Sequence, residues 1–318
     1  MARHLTLSPM SEGVRHVPLL CHACWGRAGS KVRTDMRREE LSVPVDSFAT
    51  TETDFRSLDG IRLRGTLIVP SGASAATVLV HGGGVTRHEG GFFTRLASAL
   101  GEADVSSLRF DFRGHGESEG RQEDLTISGV VNDIRSAIEH LRAKTNSRQV
   151  NVIGTSFGGG ISAYYASRYP DQVERMVLFN PLLNYKKRFI DDKPYWTDDH
   201  ISEEAGDELT RDGVLPHSPA FKLGRALLNE VFYIEPHLAL SQVTAPTLIV
   251  HGTRDTFVPV DSSRAAVTDM AGVASLVEVE GAQHGFAVHD DPQYQNPQTR
   301  EWQGYVIRTV VEWLTAAD

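Results

Sequence analysis

From Thr77 onward, short apolar runs alternate with stretches of helical period, and that alternation is what most narrows the folds open to this chain. Residues 77–80, 105–110, 150–153, 173–179, 247–250 and 275–279 read as buried strands. Between them, Phe93, Leu96, Ala97 and Leu100 recur at i, i+3, i+4 and i+7 and predict a helix over 92–100. Ile127, Val130, Val131, Ile134, Ile138 and Leu141 stripe a second helix over 127–141. Further helices are expected over 158–169, stopped by Pro170, and over 262–270 and 302–314. Strands spaced by helices form βαβ units, so the expectation is an α/β fold with a mostly parallel central sheet flanked by helices. Upstream, runs at 51–58 and 61–69 flank Asp59-Gly60, a pair that tolerates the positive φ of a hairpin turn.

One stretch breaks the alternation. Residues 181–240 mix Pro, Asp, Trp and Tyr irregularly, with a single helical piece expected over 221–231. A connection this long inside an α/β domain reads as a small cap insertion. Its Tyr185, Phe189, Tyr195, Trp196, Phe221 and Phe232 supply aromatic surface for a pocket, for the cap's own core, or for both. Its Asp191, Asp192, Asp198 and Asp199 form either a screen against anionic substrates or a solvated face. Residues 1–43 show no period of 2 or 3.6 and read as a disordered N-terminal tail, which leaves 44–318 as the folded domain.

The 318 residues carry 32 Lys and Arg against 41 Asp and Glu, a net charge of −9. Without a basic stripe, such a surface repels phosphate backbones, so no nucleic-acid partner is expected. No run approaches the ~18 apolar residues of a membrane span. The longest apolar stretch near the N-terminus, 17–21, is broken by Pro18 and is too short for a signal peptide; a cytoplasmic location is the expectation. Cys21 and Cys24 lack the second pair of a four-ligand zinc site and read as incidental. The oligomeric state stays open, with a homodimer as one option.

Gly154-Thr155-Ser156-Phe157-Gly158 follows a strand and precedes a helix, the context that lifts a serine hydroxyl above a sheet edge. Gly116-Glu117-Ser118-Glu119-Gly120 has the same pattern but lies in a polar loop, so Ser156 is the candidate nucleophile. A serine hydroxyl needs a base, and the base needs an orienting carboxylate. Asp255 and His284 stand just past the last two expected strands, in the chain order Ser, Asp, His. Asp261 is expected to cap the helix that follows it, His251 to hold a loop, and His289 and Asp290 to lie in a solvated one. Two backbone N–H donors for an oxyanion are expected from Phe157 and from Gly83 in His81-Gly82-Gly83-Gly84, with Gly84 as the alternative. Asp111 and Arg113, in the run from Asp111 to Ser118, read as structural.

His81-Gly82, the Asp111-x-Arg113-Gly114-His115-Gly116-x-Ser118 run, the Ser156 elbow, His251-Gly252-x-x-Asp255 and Gly281-x-x-His284 occur in the order found in the α/β-hydrolase superfamily. From about Thr51 to the C-terminus the chain resembles its serine hydrolase branch of cinnamoyl (feruloyl) esterases, monoacylglycerol lipases and serine aminopeptidases. That resemblance implies a Ser156-His284-Asp255 triad, an oxyanion hole at Gly83 and Phe157, no cofactor and no metal, and a small acyl ester as substrate. Two features depart from the cinnamoyl esterases, which usually carry a bulky residue at the position of Gly83 and Gly-His-Ser-Gln-Gly at the elbow. The chemistry left open is ester hydrolysis, thioester or peptide cleavage, acyl transfer, or ligand binding without turnover.

Overall fold

The computed structural model describes residues 48–145 and 147–316. The tail expected over 1–43, its boundary with the domain, and Cys21 and Cys24 lie outside the described residues. The first hairpin pairs β1 (Thr50–Arg56) with β2 (Arg62–Ile68) antiparallel, and Gly60 takes the left-handed φ of 90° that its turn requires. β3 (Ala75–Val80), α1 (Phe92–Glu102), β4 (Val105–Phe110), α2 (Ile127–Thr145), β5 (Val150–Thr155), α3 (Ser156–Arg168) and β6 (Val173–Phe179) then alternate.

Residues 180–246 interrupt the alternation. They hold two small hairpins, β7 (Trp196–Thr197) with β8 (His200–Ile201) and β9 (Val214–Pro216) with β10 (Lys222–Gly224). They also hold α4 (Glu203–Asp212), α5 (Arg225–Glu230) and α6 (Pro236–Ala239). β11 (Thr247–Gly252), α7 (Asp261–Asp269), β12 (Ala274–Val279) and α8 (Pro297–Thr315) complete the chain.

The eight long strands form one sheet in the order β1-β2-β4-β3-β5-β6-β11-β12, parallel from β4 onward. Because strand side chains alternate faces, Val78, Val80 and Val152 meet Ile127, Ile134 and Leu141 of α2 and Ile161 of α3 on one side. Leu79, Ile153 and Val177 meet Leu96 and Leu100 of α1 and Val306 and Val310 of α8 on the other. Each such fully buried aliphatic side chain contributes about 1.5–3 kcal/mol. Strand order reverses beside β3, whose chain continues to β4 on one flank while β5 lies on the other. Open α/β sheets place their clefts at such a switch point, past the carboxyl ends of the strands.

The sequence expectations differ from the structure in three places. The cap contains α4, which the hydrophobic pattern did not announce, and residues 222–224 are a strand rather than the start of a helix. α4 buries only Ala205 and Leu209, so its apolar stripe is too sparse to register as a period. α8 begins at Pro297, ahead of the expected 302, where Asn296 caps it by accepting from the Gln298 N–H at 2.9 Å. Among the described residues no helix is long and apolar enough to cross a membrane.

Candidate active site

β5 runs straight into α3, and the turn between them is tight enough to hold Ser156 at a φ of 51°. A non-glycine residue persists there only when its surroundings force it. Here the helix is drawn hard onto β3: a Cβ on Gly158 would lie 2.2 Å from the His81 carbonyl oxygen. The result stands the serine at the head of the helix, and the free N–H groups of the first turn lie beside it.

β11 and β12 deliver the other two groups. His284 Nε2 lies 3.0 Å from Ser156 Oγ, and His284 Nδ1 lies 2.6 Å from Asp255 Oδ2. A carboxylate only accepts, so Nδ1 carries the proton and Nε2 is left as the acceptor facing the serine hydroxyl. Asp255 is buried and fully partnered: Oδ1 accepts the Phe257 and Val258 N–H groups at 2.8 and 2.9 Å, and Oδ2 also accepts from Asn180 Nδ2 at 2.9 Å. Burial pushes its pKa up, but His251, His284 and the Val258 N–H together hold it well below the usual carboxylate range.

His251, expected to hold a loop, donates from Nε2 to Val258 O at 2.8 Å and accepts at Nδ1 from Ser263 Oγ at 2.7 Å. Asp261 does not cap α7 through a side-chain hydrogen bond; it lies in the first turn and pairs with Arg264 at 2.8 Å. His289 and Asp290 are exposed. Ser118 keeps its loop, donating to Asp111 O and accepting the Arg64 N–H at 2.8 Å. Asp111 and Arg113 are structural: Asp111 binds Arg87, and Arg113 pairs with Asp133 and Asp59 at 2.8 and 2.7 Å.

The three glycines after β3 differ in the use of their N–H groups. Gly82 donates to Glu89 Oε1 at 2.5 Å, and Gly84 donates to His115 Nε2 at 3.1 Å. Among the described residues the Gly83 N–H has no partner. Phe157 is the second residue of α3, and its carbonyl accepts from Tyr185 Oη at 2.5 Å. A Cβ on Gly83 would sit 2.8 Å from the Phe221 ring, so an aromatic residue from the cap occupies the space over this loop.

A cavity of ≈ 110 Å³ opens beside Ser156 and His284, walled by Gly83, Phe157, Leu182, Phe189 and Phe221. Arg188, His217 and Phe257 also line it. A second space of ≈ 360 Å³ adjoins it and shares Leu182, Arg188, Phe257 and Val258. Burial, with Lys193 and Arg188 adding to it, pushes His217 down to about 4. Of the cap aromatics, Phe189 and Phe221 line the cavity, Tyr185 supports Phe157, and Trp196 and Phe232 pack on each other with centroids 5.9 Å apart.

The sequence reading passed over Asn180, Glu89 and His115. Asn180 directly follows β6 and precedes Pro181, at a φ of 42°, a position past a strand end that could have flagged it. His115 lies in the run from Asp111 to Ser118, whose Asp and Arg read as structural from the sequence, and Glu89 lies in a polar stretch with no pattern of its own.

Known proteins resemble this chain in sequence and in fold. Residues 71–203 match the family described as serine aminopeptidase, S33. A monoacylglycerol lipase of Mycolicibacterium smegmatis is 27% identical over 85% of this chain and 99% of its own. A proline iminopeptidase, PfmaB of Pestalotiopsis fici, is 26% identical over 74% of this chain and 94% of its own. Among solved structures, Est1E of Butyrivibrio proteoclasticus, in a complex with ferulic acid, superposes with a TM-score of 0.65 at 21% identity, over 81% of this chain and 99% of that one. The chain has the α/β-hydrolase fold, and in sequence it is similar to serine aminopeptidases, a monoacylglycerol lipase and a proline iminopeptidase.

Proposed function

We propose that the chain cleaves carboxylic esters through an acyl-enzyme on Ser156. The observation that carries this reading is the unbroken run of contacts from Ser156 Oγ through His284 to a buried, ionised Asp255. His284 Nε2 takes the serine proton as Oγ attacks the ester carbonyl, then returns it to the leaving alcohol. A water molecule, deprotonated by His284, hydrolyses the acyl-Ser156, and the proton passes back to the serine. Asp255 fixes the Nδ1–H tautomer and stabilises the imidazolium in both halves. The Phe157 N–H and the unpartnered Gly83 N–H serve the oxyanion. Residues 181–240 act as the cap that shapes the acyl site.

The aminopeptidase match favours a second reading, cleavage at a free amino terminus. Binding an α-ammonium group calls for a carboxylate in the site. Among the described residues the cavity beside Ser156 is lined by no Asp or Glu, and Arg188 would repel the ammonium. The carboxylates nearby are Asp192 in the adjoining space, paired with Lys187, and Asp290 and Asp291 in a third space that also borders His284. Ester cleavage is therefore the better fit. Initial rates on p-nitrophenyl esters, an acyl thioester and an aminoacyl p-nitroanilide test this, with Ser156→Ala as the blank. Esters are expected to lead, and the variant to lose ~10⁴-fold in kcat while staying folded. A leading anilide or thioester would overturn the ester assignment, and a variant within tenfold of wild type would overturn Ser156.

A further inference from the structure

The cap carries four cationic groups between residues 186 and 193, and they are not treated alike. Lys186 pairs with Asp191 and Asp199 at 2.8 and 2.7 Å, and Lys187 pairs with Asp192 at 2.5 Å. These acids, read from the sequence as a screen against anions or a solvated face, are thus taken up by lysines: Lys186 with Asp191 and Asp199 away from both spaces, and Lys187 with Asp192 on the wall of the adjoining one. Asp198 is exposed and forms no ion pair among the described residues. Arg188 is different. Among the described residues no carboxylate pairs with it, yet it lines both the cavity holding Ser156 and the adjoining space. Its guanidinium lies over the face of Phe257, 5.7 Å from the ring centroid. Phe257 in turn stacks on His284, with centroids 5.4 Å apart, so the guanidinium and the imidazole share one ring as neighbour.

The backbone explains how neighbours diverge in this way. Residues 187–191 form one π-type turn, closed by the Asp192 N–H donating to Lys187 O at 2.8 Å. The extra residue shifts the register of the turn and brings Arg188 and Phe189 to the cavity together. Lys193 is half-buried, also forms no ion pair among the described residues, and acts on His217 alongside Arg188. A ring face positions a guanidinium but does not neutralise it. The planar donor fork of arginine matches a carboxylate.

Resting on the esterase reading above, we infer that Arg188 receives a carboxylate of the substrate. The ester hydrolysed here carries an anionic group close to the scissile bond, as in a monoester of a dicarboxylic acid.

The test compares charged and neutral esters of matched length on the wild type, Arg188→Met and Arg188→Lys. Mono-p-nitrophenyl glutarate against p-nitrophenyl valerate places the charge on the acyl side. 4-Acetoxybenzoate against its methyl ester places it on the alcohol side. In at least one pair the wild type is expected to favour the anion, through KM. Arg188→Met is expected to lower the ratio of anionic to neutral kcat/KM by about tenfold or more, with partial retention in Arg188→Lys. Added salt should weaken the preference. An unchanged ratio in Arg188→Met, an equal fall for both members of a pair, or a wild type that prefers the neutral ester in both pairs would overturn the inference. If folded wild type cleaves no ester, the esterase reading fails separately. Titration of glutarate into Ser156→Ala and Ser156→Ala/Arg188→Met then decides the anion site, where absent or equal binding overturns it.

Discussion

Glu89 takes no part in the acyl-transfer scheme, yet it is buried behind the glycine loop and accepts the Gly82 N–H. Burial pushes its pKa up to about 7, against the pull of that N–H and of His284. The folded state therefore keeps a proton that the unfolded chain releases near pH 4.5. The stabilisation from that proton is complete below pH 4.5 and is lost as pH rises through about 7, a fall of roughly 3 kcal/mol. Glu89→Gln keeps an acceptor for Gly82 but cannot ionise. Urea midpoints measured from pH 5 to pH 8 are expected to fall in the wild type and to fall less in the variant. Equal slopes would show that Glu89 does not titrate in this range. Asn180 and His251 act on the same small scale. One donates to Asp255, while the other braces the loop whose N–H groups bind it. The loop role of His251 was legible at its strand end, whereas Asn180 works through a contact 75 residues away in the chain that no spacing announces.

At the scale of elements, the elbow depends on how closely α3 approaches β3. Gly158 is the point of contact, and the atom it would meet is a backbone carbonyl that has no rotamer to adopt. Gly158→Ala is expected to cost roughly 1–3 kcal/mol as the helix is forced outward. Turnover should fall with it, by about 100-fold, because a displacement near 1 Å at the nucleophile is enough for that. Chemical denaturation and ester hydrolysis on the same samples check both, and an alanine variant of wild-type stability would refute the close-approach argument. The same scale shows where a sequence reading thins out. α1 and α2 announce themselves because each buries a broad apolar stripe. α4 buries two residues and is defined by its ends, the Ser202 cap that accepts the Ala205 N–H at 3.3 Å and Gly213 at a φ of 77°. Those end signals are present in Ser202-Glu203-Glu204 and Gly213, but without a stripe between them they do not mark a helix.

Across the whole molecule, Arg113 joins parts that lie far apart in sequence. It binds fully buried Asp133 of α2, Asp59 and Ser57 of the first hairpin, and belongs itself to the loop after β4. Removing one partner of a buried pair leaves a charge without compensation, and Arg113→Met should cost about 3–5 kcal/mol. Adding Asp133→Asn neutralises the stranded carboxylate while keeping an acceptor for the Arg113 N–H, which Asp133 Oδ2 receives at 3.0 Å. The double variant is expected to recover a substantial part of the loss in denaturant unfolding. A double variant less stable than Arg113→Met would show that the charge is not what Arg113 compensates.

The sequence by itself determined the alternation of strands and helices, the first hairpin, and which serine follows a strand and opens a helix. These follow from local periodicity and from turn chemistry, which act over a few residues. It also marked Asp255 and His284, because both stand where a strand ends. Only the tertiary structure decided which loop N–H groups are already bound and which is left free. The same is true of Phe221, which fills the space over Gly83, and of Arg188, whose neighbours take the available carboxylates while it takes none. Those outcomes depend on distances between residues that are remote in the chain, and the packing of the sheet and the cap sets those distances.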